Sequence, residues 1–181
     1  TNVNMLTQNK KRLFEKNKSE YTLRSLNSII KSLNLAKNTL PKITFDLVII
    51  DHNSEKKDLE KMEELLNNYN FKYSIISLDI NEFSNNIVKE NYKKEIVSKN
   101  QISNMSNIHK SFLTAKDQCS DLIYFVEDDY LHQIDAINEM IYTYERISSQ
   151  LNKELFLCPS DYPYLYSKLD LTNIFLGSSK H

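Results

Sequence analysis

The sequence predicts an α/β fold with a mainly parallel sheet, on two observations. Apolar stretches of helical periodicity alternate with short, β-branched apolar runs, the pattern left by parallel strands joined through crossover helices. Two of those runs also end abruptly in polar loops that carry carboxylates, Asp51-His52-Asn53-Ser54 and Glu127-Asp128-Asp129. The carboxyl ends of strands in an open parallel sheet lie on one edge, where such sheets take their ligands.

The first helix is expected from Glu20 to Leu35, with Leu23, Leu26, Ile30 and Leu33 at helical spacing. Pro41 marks the loop after it. Phe45 to Ile50 is short and β-branched and reads as a strand. Asn53 or Ser54 is expected to cap the next helix, which runs to about Asn68 with Leu59, Met62, Leu65 and Leu66 on its buried face. Tyr73 to Leu78 is a second strand. Residues 79–100 are polar, rich in Asn and Lys, and read as a loop with a short helix or as an insertion near a site.

A further helix is expected from Ser103 or Asn104 to Asp117. It leads into Leu122-Ile123-Tyr124-Phe125-Val126, read as a buried strand covered on both faces, in the same sheet and parallel to the first two. A long amphipathic helix follows from Gln133 to Leu151, carrying Ile134, Ile137, Met140, Ile141, Tyr144, Ile147 and Leu151. Leu155 to Cys158 is a last short strand, ended by Pro159, and the tail to His181 is aromatic and irregular. With no internal repeat or linker in its 181 residues, the chain reads as one domain, 1–181. Its ends, Thr1 and His181, suggest a piece truncated on both sides of a longer protein.

Composition narrows the function. A formal net charge of −1 gives no electrostatic case for nucleic acid. No apolar stretch approaches a membrane span and no signal peptide opens the chain, so a cytoplasmic setting is expected, with peripheral contact to the inner face of a membrane as its variant. Cys119 and Cys158 form no CxxC pair and read as small core residues in a reducing compartment. The single glycine, Gly177, excludes a GxGxxG turn or a P-loop as the nucleotide site. Any phosphate must be held by side chains, ordinary backbone amides or a metal.

Glu127-Asp128-Asp129 is the strongest chemical signal. Three adjacent carboxylates repel one another unless a cation neutralises them. A hard ion such as Mg²⁺ or Mn²⁺ takes oxygen ligands and bridges to phosphates. The competing reading is a solvated acidic turn. His132 is a candidate further metal ligand, against the plainer reading of a polar residue at a helix start.

The combination resembles a known family. Leu47-Val48-Ile49-Ile50-Asp51-His52-Asn53-Ser54 is similar to the second-strand motif of GT-A-fold glycosyltransferases of the family 2 type, an apolar strand followed by Asp-x-x-Ser. Ser106-Asn107-Ile108 through Asp121 and on to Phe125-Val126-Glu127-Asp128-Asp129 resembles that family's helix and metal-binding "DxD" strand. The helix around Asn27 to Leu33 resembles the one preceding its second strand. The likeness spans most of residues 20–160. It implies the GT-A three-layer sandwich with the first strand largely missing, Thr1 to Asn4 being its last few residues.

The resemblance also implies roles. A nucleotide-sugar donor, a UDP-sugar favoured, would be held by Asp51, Asn53, Ser54, Glu127 and Asp128. Asp129 would bind Mn²⁺ or Mg²⁺, and the sugar would pass to a hydroxyl of a glycan or other acceptor.

 Asp161 is the only nearby candidate for the base that such a reaction needs, against the plainer reading of a turn residue before an aromatic, and similarity to the family implies inversion at the sugar carbon. The departures are Glu127 where the family's triplet begins with Asp, and Ser106-Asn107 where its helix carries Arg-Asn. Two other readings stand beside the transferase. One is a metal-dependent phosphoesterase, since Ile50-Asp51-His52 begins a DHH-type motif that Asn53 then breaks. The other is a non-catalytic GT-A-like fragment. Tyr162, Tyr164 and Tyr166 could stack on a sugar or pack on the sheet, and Lys93-Lys94 could meet a diphosphate or simply be solvated.

Overall fold

The computed structural model describes residues 2–4, 17–90 and 93–159. The order is α1 (Lys18–Thr39), β1 (Asp46–Asp51), α2 (Lys56–Asn67), β2 (Lys72–Ser77), a 3-10 turn (Ile80–Phe83), α3 (Lys99–Gln118) and α4 (Ala136–Leu151). β1 and β2 pair in parallel, Asp46 opposite Lys72 through Asp51 opposite Ser77. The α/β class and the parallel pairing of the first two strands therefore stand.

A two-stranded sheet is marginal alone and is held here by helices on both faces. Strand alternation divides β1 between two cores. Leu47 and Ile49, with Tyr73 and Ile75 of β2, meet α1, α2 and α4 around Ile30, Leu33, Met62, Leu66 and Ile137. Val48 and Ile50 turn the other way, toward Leu78, Phe83, Ile87 and Ile102 of α3.

Two helix starts are capped from elsewhere in the chain. α4 has no side-chain cap of its own. The Ser32 hydroxyl on α1 accepts from the Ile137 amide at 3.0 Å, satisfying one of the donors every helix start leaves open. α2 begins after Glu55, not at Asn53 or Ser54 as expected, and its own cap residue makes no side-chain bond. The Asn4 side chain accepts from the Glu55 amide at 3.0 Å and donates to Asp58 at 3.0 Å. The two expected capping residues are used in the turn before the helix instead. α3 starts at Lys99, earlier than expected, because Ser98 and Gln101 form a reciprocal capping box.

The expected central strand is the main correction. Residues 122–127 belong to no strand. Leu122 to Val126 are 39–49% exposed rather than buried on both faces. Extended backbone becomes a strand only when a neighbour accepts its ladder hydrogen bonds, and no described residue does so. Leu155 to Cys158 form no strand either: Leu155 is buried and makes only an isolated β-bridge, and Phe156 is exposed. Cys158 is exposed and Cys119 half-buried, so neither is the core residue expected. No helix among the described residues is long and apolar enough to cross a membrane. Asp161, Tyr162, Tyr164 and Tyr166 lie outside the described residues.

Candidate functional site

β1 delivers Asp51 and His52 to the carboxyl edge of the sheet, where both are buried, at 5% and 8% exposure. Asp51 shapes its own loop. One carboxylate oxygen accepts from the Ser54 amide at 3.1 Å and the other from the Ser54 hydroxyl at 2.5 Å. The turn requires a positive φ of 55° at Asn53, a conformation that Asn tolerates better than most residues. The spacing Asp-x-Asn-Ser thus has a structural basis in this turn.

His52 is not the solvated loop histidine that its position suggests. Its Nδ1 lies 2.6 Å from the Ser103 hydroxyl of α3. One turn further along that helix, Asn107 donates to the Ile50 carbonyl at 2.9 Å. These two contacts dock α3 on the end of β1. Ser106, between them, is buried, and its hydroxyl has no hydrogen-bond partner among the described residues.

The acidic turn reaches the same edge through a short polar bridge. Asn2 donates to the His52 carbonyl at 2.5 Å. The Asn2 carbonyl accepts from the Lys18 ammonium at 2.8 Å. That ammonium also lies 3.1 Å from an Asp128 oxygen, with the Lys18 side chain only 13% exposed. Asp51 and the acidic turn are thereby linked through two intervening residues. Neither Lys18 nor Asn2 was singled out by sequence. Lys18 is one lysine in a lysine-rich segment and carries no local motif.

Glu127 shows the electrostatic cost of the triplet. Partial burial pushes its carboxyl above the ordinary range, the Asp129 and Asp128 charges add to the rise, and Lys18 opposes it. A carboxyl with a raised folded-state pKa contributes stability in full below its unfolded value and loses it as pH rises through the folded value. Glu127→Gln is therefore expected to melt slightly above wild type near pH 7, the gap closing by about pH 4, where glutamates are largely protonated. Thermal melts at both pH values check this, and a lower melting temperature for the variant near neutrality contradicts it.

His132 is not aimed at Asp129. Its Nε2 lies 2.9 Å from the Tyr124 hydroxyl and its Nδ1 is 3.5 Å from the Ser28 hydroxyl. Burial holds its pKa below the usual histidine value, which favours the neutral ring. Among the described residues no group of three or more His, Cys, Asp or Glu side chains is arranged to hold a metal. The donor set does not fit a cage made of protein alone. Lys93 and Lys94 are exposed. Two shallow hollows, of about 260 and 340 Å³, lie over α1 rather than at this edge.

No family model, no curated protein and no solved structure matches the chain.

Proposed function

We propose that this edge binds a nucleotide diphosphate sugar and that the chain is the donor-binding part of a metal-dependent glycosyltransferase. The observation that carries the reading is the bridge from His52 through Asn2 and Lys18 to Asp128, which ties the Asp51 loop to the acidic turn. The two loops that the sequence marks as chemical are thus coupled, although 122–127 joins no strand.

Each residue has a task in this reading. Asp51 keeps lone pairs beyond those used by Ser54 and orients the ribose or base of the donor. Asn53 and Ser54 hold the loop in shape. Lys18 offsets the negative charge of Asp128, so the edge can accept a diphosphate without gathering only like charges. Asp129, with Glu127 beside it, holds Mn²⁺ or Mg²⁺. When bound there, such an ion would supply Lewis-acid neutralisation of a diphosphate leaving group. The base for the acceptor hydroxyl is assigned to Asp161.

Calorimetric titration of UDP with Mn²⁺ and with chelator tests the proposal, alongside hydrolysis of a simple phosphodiester. Metal-dependent UDP binding supports the transferase. Phosphodiester hydrolysis without UDP binding replaces it with the esterase reading. Silence in both leaves a non-catalytic α/β unit.

A further inference from the structure

A hollow of about 260 Å³ lies over α1 and is built largely from one face of that helix. Arg24, Asn27, Ser28 and Lys31 recur at i, i+3, i+4 and i+7, the spacing that brings side chains onto a single face. His132 and Ile134, from the segment that leads into α4, supply the rest of the lining. Asp51, Asp128 and Asp129 do not line it.

Hydrogen bonds fix the wall at His132. Its amide donates to the Ser28 hydroxyl at 3.0 Å, and its ring Nδ1 lies 3.5 Å from the same oxygen. The Ser28 hydroxyl donates its own proton to the Ser25 carbonyl at 2.7 Å. Nδ1 therefore carries the ring proton, and Nε2 accepts from the Tyr124 hydroxyl at 2.9 Å. This side of the hollow is set by bonded groups rather than by mobile side chains.

The charges in the lining are of one sign. Arg24 and Lys31 are cationic, burial favours the neutral His132 ring, and no carboxylate lines the hollow. Glu20 pairs with Arg24 from outside it, through Nε at 2.9 Å and Nη2 at 2.8 Å, both to one carboxylate oxygen. Nη1 takes no part in that pair, and exposed pairs of this kind are weak. Lys31 is exposed and forms no ion pair among the described residues. Asn27 adds an amide donor between the two cations.

We propose that this hollow binds a small phosphate monoester, its terminal oxygens held by Arg24, Asn27 and Lys31 and its ester arm lying along Ile134. Charge selects the class: a monoester carries about −1.5 to −2 at neutral pH and matches two cations, whereas a carboxylate or a diester carries a single charge. Volume selects a small free ester, since drug-sized ligands take pockets of about 300 Å³ and upward.

The probe is glycerol phosphate, titrated into the full isotope-labelled chain at fixed ionic strength with chelator present and read by amide chemical shifts. Saturable shifts are expected at 24–31 and 132–134. They should be unchanged in Asp129→Asn, which separates this site from the proposed donor site. Arg24→Gln and Lys31→Gln should each weaken binding roughly fivefold or more, the effect of losing a charge-assisted hydrogen bond. Both side chains are exposed, so both variants should keep the wild-type circular dichroism. Acetate and dimethyl phosphate, with one charge each, should bind more weakly than glycerol phosphate. The proposal is overturned if either singly charged probe binds as well, if either glutamine variant binds as wild type, or if shifts spread evenly over lysines elsewhere. A phosphoserine peptide that binds about tenfold tighter than glycerol phosphate overturns it in favour of a protein partner.

Discussion

Asp129→Asn is expected to abolish Mn²⁺-dependent UDP binding while leaving the fold intact. The carboxamide keeps the shape of the side chain but loses the anionic oxygen that a hard cation requires. Changes to residues that only support a metal ligand cost roughly 10–100-fold in affinity, so loss of the ligand should cost at least on the order of 100-fold. Removing one charge from the triplet also relieves repulsion on Glu127, so the melting temperature without metal should hold or rise. Asp51→Asn is the control: it should weaken UDP binding while preserving the dependence on metal. Equal titration curves for wild type and both variants would contradict the site assignment.

Leu66→Ala is expected to cost about 2–5 kcal/mol, the range for truncating a fully buried leucine. Leu66 is 0% exposed in the main core, facing neighbours on α1 and the sheet. Leu122→Ala, in the expected but unformed strand, should cost about 1 kcal/mol or less, because Leu122 is already half exposed. Chemical denaturation of both variants measures the contrast. Equal costs would mean that 122–127 is packed as tightly as the core and that the account of the sheet is wrong.

The legible parts of the fold were those set by local pattern. Leu26, Ile30 and Leu33 repeat at helical spacing and mark α1, and the run through Ile50 marks β1. Residues 122–126 show where that logic stops. Their composition suits a buried strand, but a strand also needs partners, and composition does not report whether they are present. His52 was similarly illegible, because its burial depends on Ser103 across 51 positions of sequence. Asp51 and Asp128 stood out by residue type. The Asn2–Lys18 bridge between their loops did not, because it rests on one backbone carbonyl and a lysine with no motif around it.

The most direct test of the central claim is paramagnetic broadening by Mn²⁺ in isotope-labelled protein, with UDP present. Bound Mn²⁺ broadens the amides nearest to it, so one shared site predicts loss of signal at both 51–54 and 127–129, reversed by chelator and absent in Asp129→Asn. Broadening confined to one loop, or spread over acidic residues elsewhere, would contradict a common donor and metal site at this edge.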